Sequence, residues 1–299
     1  MVNTKQIKWQ IKSISNTKQI TKALEVVATV KLQKNKHQTE WYKEFMLEFL
    51  KIVQVVNNSH KLFNDPQQTP TANQKELVIV IGTDRWLCWW LNNRLFKHIF
   101  TTHEDKKSEI DIFAVGKKTL EFFTRTNFSI AWHISLKDTF TEEDLRDLFI
   151  FIRNAIETHT YKWLRIYFNY FNNPIKQTPI DLQIYPLQKE EYEKFAKQID
   201  ININDFITDQ VEQKDILLEP SIDWLEREIQ EQLIQHVVYW AILQNKTGEY
   251  AARMIAMKNA KDNSTNMIKS LKLSYNKARQ AAVTQEVSEI MSAKNAIEW

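Results

Sequence analysis

Three residues whose side chains could do chemistry, Asp84, Arg85 and Cys88, stand just after the apolar run 77–81. Such a run is typical of a buried parallel strand, and α/β enzymes place functional groups at the carboxyl ends of these strands. The interpretation that we favour is that Asp84 and Arg85 cap a strand-to-helix turn. Cys88 has no neighbouring His to activate its thiol, so we interpret it as a packed or surface residue and not as a nucleophile.

Loops of the kind that hold phosphate groups are missing from the sequence. Neither GxGxxG after the first strand nor GxxxxGKS/T at any point occurs, even when every Trp is read as Gly. Without the backbone N–H groups that such loops supply, tight phosphate binding is not expected. The single Cys and the seven scattered His show no metal-ligand spacing. We therefore predict no catalytic residue, no cofactor and no metal site in this chain.

The middle of the chain alternates between strand-like and helix-like segments. Apolar runs predict strands at 77–81, 110–115, 128–134, 163–171 and 182–187. Helical spacing predicts helices at 92–102, 117–126 and 141–158, the last with Thr141 as its N-cap. This alternation is typical of a parallel sheet, and we predict a central Rossmann-like α/β domain.

Two long segments without Gly or Pro, 3–61 and 250–299, lie on either side of that domain. Apolar or small residues recur in both at spacings of three and four, which lines one face of a helix. The sequence therefore predicts a long antiparallel coiled coil of the N- and C-terminal helices, with domains 1–61, 62–215 and 216–299. The residues predicted to face the partner helix are Ile7, Ile11, Ile14, Ile20, Leu24, Val27 and Val30 in the first segment, and Met257, Ala260, Ser264, Met267, Leu271, Ser274, Ala278 and Ala281 in the second.

Charge is unevenly distributed along the chain, whose net charge is +3. Residues 1–61 carry net +7 and residues 250–299 carry net +4, so the middle is acidic with net −8. A basic helical rod could bind nucleic acid, act as a scaffold, or lie inside an acidic protein collar. An α/β enzyme with helical arms is a further alternative, against which the missing phosphate loop and catalytic constellation count. The sequence contains no run of about eighteen apolar residues, so we predict no transmembrane helix.

Tryptophan is abundant and glycine is scarce. The chain has ten Trp and three Gly, where average composition would give about twenty Gly. Trp86, Trp89 and Trp90 crowd a strand-to-helix turn, a place where glycine fits because it tolerates close packing and positive φ. We hypothesise that these and other Trp positions are glycine in the living protein, through a UGA codon that the organism reads as Gly. UGG codons at these positions in the gene would contradict the hypothesis.

The two ends of the chain resemble one family, the γ subunits of F-type ATP synthases. The stretch ISNTKQITKALEVVA at 14–28 is similar to the opening helix of the family. The stretches AARMIAMKNA at 251–260 and LSYNKARQAAVTQEVSEI at 273–290 are similar to its closing helix. Residues 83–92 match its strand-to-turn motif only if Trp86, Trp89 and Trp90 are read as Gly. At 292–294 the sequence Ser-Ala-Lys departs from the Gly-Ala step of the family.

The resemblance implies a non-catalytic rotor subunit that couples ion flow to ATP synthesis or hydrolysis and regulates ATPase activity. Its coiled coil would pierce a ring of three α and three β subunits, and its α/β domain would meet the ε subunit and the ring of c subunits. The complex would lie on the cytoplasmic face of the bacterial inner membrane, with this chain peripheral to the membrane and not bound to nucleic acid. The turn at Asp84, Arg85 and Cys88 would lie near the base of the head. The implied β-subunit contacts are Lys22, Arg253, Arg279, Gln280 and Thr284. The candidates for contact with an acidic β loop are Lys8, Lys12, Lys18, Lys22, Lys31 and Lys34.

Overall fold

Two compact units make up the protein. Its computed structural model describes residues 4–60, 74–85, 88–186, 191, 193, 195, 197 and 221–297. One unit combines Met1–Val30 with Arg253–Trp299, and the other is Lys31–Ala252. Helix α1, Thr4–His60, and the last helix, Ile222–Ile297, each contribute to both units.

The unit Lys31–Ala252 contains a five-stranded sheet. Its strands are β1 (Lys75–Ile81), β2 (Ile110–Val115), β3 (Ser129–Ile134), β4 (Tyr161–Phe171) and β5 (Gln177–Tyr185), in the spatial order β3-β2-β1-β4-β5. The helices between them are α2 (Trp89–His103), α3 (Lys117–Arg125) and α4 (Arg146–Glu157), so the last helix is α5. Strands β1 to β4 are parallel, which confirms the predicted Rossmann-like domain.

Strand β5 departs from the predicted parallel sheet, because it pairs antiparallel with β4. The two strands are joined by the short turn 172–176, in which Asn173 Oδ1 accepts hydrogen bonds from the N–H groups of Ile175 (2.9 Å) and Lys176 (2.8 Å). A parallel partner would need a crossover of a dozen or more residues. The length of this turn therefore dictates an antiparallel edge strand.

The helix predicted at 141–158 begins later, and its predicted N-cap is wrong. A 3-10 turn at Glu143–Leu145 precedes α4. Thr141 donates from its backbone N–H (2.8 Å) and its hydroxyl (3.1 Å) to the carboxylate of Asp144. The Thr141 hydroxyl is therefore a donor to Asp144 and does not accept a hydrogen bond from a helical N–H group.

The two faces of the sheet bury alternate residues of each strand, as the pleat requires. On one face, Val78 and Val80 pack with residues of α2 and α3. On the other face, Leu77, Ile79 and Ile81 pack with α4 and with segments of both long helices. The residues that those helices bury here are Tyr42, Met46, Leu50, Val53 and Val56 of α1 and Ile229, Leu233, Ile234, Val237, Val238, Trp240, Ala241, Ile242 and Leu243 of α5.

His103, at the end of α2, is almost fully buried, and its Nε2 lies 2.8 Å from the Tyr167 hydroxyl. Burial lowers the pKa of His103 to about 4, and the positive charge of Arg165 acts in the same direction, against Asp181. In the unfolded chain a histidine has a pKa of about 6.5. The unfolded state therefore takes up a proton at a higher pH than the folded state does.

We expect the free energy of unfolding to fall with decreasing pH between about 6.5 and 4, and to fall less in the variant His103→Gln. The contribution of neutral His103 is fully present above pH 6.5 and is lost as the pH falls through the folded pKa. Between pH 7 and pH 5, the free energy of unfolding should fall by about 2 kcal/mol more in the wild type than in His103→Gln. Urea unfolding at several pH values measures it, with exposed His133→Gln as the matched control. Parallel pH profiles for wild type and His103→Gln would contradict this prediction.

Helices α1 and α5 pair antiparallel within the unit of residues 1–30 and 253–299. Glu25 forms an ion pair with Lys261 Nζ at 2.7 Å. Lower-numbered residues of α1, Trp9 to Ile14, share a groove with higher-numbered residues of α5, Met267 to Leu271. These contacts confirm the predicted antiparallel coiled coil. Of its predicted contact residues, Ile7, Met257 and Ser264 are buried.

Part of the predicted apolar stripe is wrong. In the part of α1 between residues 20 and 30, the buried residues are the small Thr21 and Ala28. Small side chains let the partner helix approach closely, so they occupy the contact in place of the larger apolar residues. On α5, Met267, Ser274 and Ala281 are exposed, and Ile268, next to Met267, is partly buried. The residues predicted to face the partner helix that are instead exposed on α1 are Ile20, Leu24, Val27 and Val30.

Candidate functional site

The candidate site is the carboxyl edge of the sheet, where a short polar segment of α5 is bonded to the ends of β1 and β4. The Asn245 side chain donates from Nδ2 to the carbonyl oxygen of Gly82 at 3.1 Å. Its Oδ1 accepts a hydrogen bond from Asn169 Nδ2 at 3.1 Å. Beside it, Gln244 Oε1 accepts from the backbone N–H of Phe171 at 3.1 Å. Two amide side chains of α5 thus hold the ends of both strands.

This edge includes the switch point of the sheet, since β1 lies between β2 and β4 and the strand order reverses there. Open α/β sheets bind their ligands in the crevice outside such a point. Here Asn245 bridges the end of β1, through Gly82, and β4, through Asn169. The fold therefore uses the crevice to attach α5.

Asp84 and Lys246 lie at the centre of a charge network along the same edge. Asp84 Oδ1 accepts from the backbone N–H of Lys117 (3.0 Å), at the start of α3, and from the Ser135 hydroxyl (2.8 Å). Lys246 Nζ lies 3.9 Å from Asp84 Oδ2 and 3.5 Å from Glu249 Oε2. The side chains of Lys246 and Glu249 are 4% and 2% exposed. A buried charge is tolerated only with a partner, so these groups depend on one another.

A second carboxylate, Asp138, connects α1 and α5 to the segment after β3. Lys31 of α1 forms an ion pair with it, and Arg85 Nη2 lies 3.4 Å away. The Tyr250 hydroxyl of α5 donates to the Asp138 carbonyl oxygen at 3.3 Å. Burial raises the pKa of Asp138, but the hydrogen bond from Lys31 and the charges of Arg85, Lys31 and Lys246 outweigh it and hold that pKa below its usual range. Asp138 is therefore ionised at neutral pH.

Two glycines allow the close packing of this edge. A Cβ atom at Gly82 would lie 2.1 Å from Thr119 Oγ1 of α3. Gly116 has φ of +100°, which disfavours any L side chain, and a Cβ there would lie 3.0 Å from the Thr83 carbonyl oxygen. Two of the three glycines in the chain therefore stand where the packing requires them.

The predicted turn residues are brought together, with partners that the sequence did not suggest. Asp84 caps the start of α3, and Arg85 pairs with Asp138. Cys88 is fully buried, with Sγ 3.7 Å from Thr83 Oγ1. Trp89 is largely exposed and Trp90 packs against the cluster that contains Cys88, while Trp86 lies outside the described residues. The hypothesis that these Trp positions are glycine stays a prediction.

The implied β-subunit contacts are not brought to this edge by the described structure. Lys22, Arg279, Gln280 and Thr284 are exposed on the paired helices, whereas Arg253 is almost fully buried. Their roles stay predictions. Among the candidates for the acidic β loop, Lys31 is engaged by Asp138 within the chain. Lys8, Lys12, Lys22 and Lys34 are exposed, and Lys18 is partly exposed.

Asn245, Lys246 and Glu249 were missed by sequence reasoning. The signal that could have found them is the polar run QNKTGE at 244–249, which interrupts the apolar stretch VVYWAIL and precedes YAA. A polar run inside a buried helix requires partners for its side chains. In the described parts of the chain, no group of three or more His, Cys, Asp or Glu could hold a metal ion. None of the described helices combines the length and apolar character that a membrane span requires.

Comparison with known sequences gives matches over the full chain. The model of a family described as ATP synthase matches residues 3–297. The ATP synthase gamma chain of Ruthia magnifica subsp. Calyptogena magnifica is 32% identical over 302 residues, covering 99% of this chain and 100% of that protein. The ATP synthase gamma chain of Legionella pneumophila (strain Corby) is 33% identical over 301 residues, with the same coverage.

Solved structures with a similar fold come from mitochondrial ATP synthases. A chain in the Euglena gracilis OSCP/F1/c-ring structure in rotational state 3 has a TM-score of 0.66 at 18% identity, covering 98% of this chain and 94% of that one. A chain in the Tetrahymena thermophila central stalk/c-ring structure has a TM-score of 0.60 at 19% identity, covering 81% of this chain and 99% of that one. At these identities the likeness concerns the fold.

Proposed function

Since the chain belongs to the ATP synthase gamma-chain family, we propose that it is the central rotor shaft that couples ion flow to ATP synthesis or hydrolysis in a catalytic head. In this role it is a non-catalytic subunit, and its rotation drives the catalytic subunits through their states in turn. Such coupling requires contacts that differ between those states.

One observation carries the proposal: the same two helices are bonded to the α/β sheet in one unit and paired with each other in the other. In the unit Lys31–Ala252, Lys31 of α1 and Asn245 and Lys246 of α5 are bonded to the carboxyl edge. In the unit of 1–30 and 253–299, Glu25 and Lys261 join the helices to one another. Because each helix is continuous between the two sets of contacts, torque applied to the sheet unit can enter both helices.

Exposed residues of the paired helices support contact with a surrounding sleeve of α and β subunits. Exposed apolar residues can pack against the surrounding subunits. The excess of basic residues in the N- and C-terminal segments complements acidic loops of the β subunits. Arg253 is buried, so the β contact proposed for it requires that its side chain be exposed in the complex. The exposed large apolar residues are Trp9, Ile20, Leu24, Val26, Val27, Val30, Met267, Leu273, Val283, Val287, Ile290 and Met291. The exposed polar residues proposed to contact β are Lys22, Arg279, Gln280 and Thr284.

The partners and location follow the same family. One related solved structure is described as a central stalk and c-ring, and the other as OSCP, F1 and c-ring, which supports contact of this chain with a c-ring. We propose an ε subunit as a further partner, as the resemblance to the family implies. We propose that the complex lies at the cytoplasmic face of a bacterial inner membrane and that this chain reaches the membrane only through it. We also keep 1–61, 62–215 and 216–299 as the proposed functional division into first helix, α/β domain and last helix.

Truncation after Lys277 is expected to weaken the torque of ATP-driven rotation by a large fraction while the complex still assembles. It removes the exposed contacts at Arg279, Gln280 and Thr284 but keeps the sheet, the carboxyl edge and the Glu25–Lys261 pair. Torque of single molecules and the yield of the co-purified complex measure the two effects.

The matched control for this truncation ends at Ser292 and keeps those three contacts. Loss of assembly in the Lys277 truncation would contradict the proposed division of labour. Purified chain that binds DNA in a salt-dependent manner and fails to co-purify with ATPase activity would favour a nucleic-acid binder instead.

A further inference from the structure

A cavity of about 160 Å³ opens between the first turn of α2 and helix α3, beside the carboxyl edge. A cavity of about 150 Å³ is large enough to bind benzene, so this one can hold a single aromatic ring. No step of the proposed rotor mechanism uses it. The residues that line it include Arg85, Asn92, Phe96, Glu121, Phe122 and Arg125.

The apolar wall of the cavity is aromatic. Phe96 of α2 and Phe122 of α3 stack with ring centroids 4.7 Å apart and an interplanar angle of 27°. Trp89 adds a largely exposed ring at the rim. Because Phe96 and Phe122 stack on each other, an aromatic surface remains even if residue 89 is glycine. Flat apolar ligands pack well against such rings.

The charges around the cavity favour an anion. Three basic residues, Arg85, Lys118 and Arg125, and one carboxylate, Glu121, line the cavity. Glu121 accepts hydrogen bonds from Lys118 Nζ at 2.6 and 2.7 Å, and Arg85 also pairs with Asp138, so Arg125 is the cation that these contacts leave for a ligand. Helix α2 begins beside the cavity with no acidic residue in its first turn and no side-chain hydrogen bond from its N-cap residue, Cys88. The positive end of the helix dipole therefore adds to the excess of basic side chains.

Asn92 supplies a feature that neither charge nor aromatic surface explains. Its side chain lines the cavity, is 4% exposed, and donates from Nδ2 to the Thr83 hydroxyl at 2.7 Å. Its carbonyl oxygen is buried and has no hydrogen-bond partner among the residues that the structure describes. Leaving such an acceptor unpaired is costly. The oxygen is closed to solvent in the unbound chain, so a donor group on a bound molecule pairs with it only after a small movement of the Asn92 side chain.

We propose that this cavity binds a small aromatic carboxylate that carries a hydroxyl or amino group. The ring packs against Phe96 and Phe122, the carboxylate lies near Arg85 and Arg125, and the donor group pairs with Asn92. Most of a nucleotide would lie outside a cavity of about 160 Å³, and a bare phosphate would leave the aromatic wall without a partner. The site is separate from the contacts with α and β subunits and does not depend on the rotor function.

The test is binding of 4-hydroxybenzoate to the full-length chain, followed by ligand-detected NMR. We expect Arg125→Gln to weaken binding about tenfold, as the loss of one charge-assisted contact would. Arg94→Gln, an exposed arginine on α2 outside the cavity, is the matched control and should change binding less than about twofold. Benzoate, which lacks the donor group, should bind severalfold more weakly than 4-hydroxybenzoate.

Three results would overturn the proposal. Equal weakening by Arg125→Gln and Arg94→Gln would mean unspecific attraction to positive charge. Inorganic phosphate that competes as well as 4-hydroxybenzoate would mean a plain anion site. A peptide ending in a C-terminal Tyr that binds much more tightly than 4-hydroxybenzoate would mean a protein partner. Because both arginine side chains are exposed, we expect both variants to fold, and circular dichroism melting checks this.

Discussion

Replacing Lys246 by Met is expected to lower the free energy of unfolding by about 3–5 kcal/mol, the usual cost of removing one partner of a buried ion pair. The side chain is 4% exposed and lies 3.5 Å from Glu249 and 3.9 Å from Asp84. Met fills a similar volume but brings no charge, so both carboxylates lose that cation in a poorly hydrated place. Urea unfolding of the full chain, followed by circular dichroism, measures the change.

Two further variants separate charge from packing at this position. Lys97→Met, on the exposed face of α2, is the matched control and should change the free energy of unfolding by less than about 0.5 kcal/mol. Adding Glu249→Gln to Lys246→Met removes a carboxylate as well as the cation and should recover part of the loss. Equal effects of Lys246→Met and Lys97→Met would show that the charge network contributes nothing.

The same substitution should also reduce coupling in the assembled enzyme. If torque enters α5 at the carboxyl edge, loosening Lys246 from Asp84 lets the helix yield under load. ATP hydrolysis should then continue while ATP-driven ion pumping falls. A variant with lowered stability but an unchanged ratio of pumping to hydrolysis would place the torque-bearing contact elsewhere.

Replacing Asn245 by Ala is the second change with a large expected effect, a loss of about 2–5 kcal/mol in the free energy of unfolding. The Ala variant leaves the Gly82 carbonyl oxygen and the Asn169 amide without the bonds of 3.1 Å that they make to Asn245. Each buried polar group left unpaired costs about 1–3 kcal/mol. Hydrogen exchange of amides in β1 and β4, together with urea unfolding, measures the loss.

The matched control for Asn245 is Asn154→Ala on the exposed face of α4. Alanine has the higher helix propensity, so this control should be neutral or slightly stabilising. If Asn245→Ala is equally neutral, water replaces the amide at the switch point and the attachment of α5 rests on Lys246 and apolar packing.

Local patterns predicted the elements well where the signal lay within one segment. The strand 110–115 is predicted and observed with the same bounds, because an unbroken apolar run is closed by Gly116. The direction of β5 was missed although its cause is also local, in the turn around Asn173. The facing side of α1 was predicted correctly at Ile7 but wrongly at Ile20 and Val27, because hydrophobicity alone does not reveal that small residues occupy the contact.

The candidate site could be predicted only in part. Asp84 and Arg85 were singled out by their place after β1, and both take part in the charge network. Their partners Lys246 and Asp138 lie 162 and 53 residues further along the chain, and no periodic pattern links residues at such separations. Asn245 and Gly82 likewise meet only after the sheet and α5 have packed.

The burial of Cys88 has a practical consequence for observing this protein at work. The chain has no other cysteine, and a thiol without solvent access reacts slowly with maleimides. A cysteine introduced at an exposed position such as Lys22 or Thr284 can therefore carry a fluorophore or a bead by itself, with the native thiol left in place.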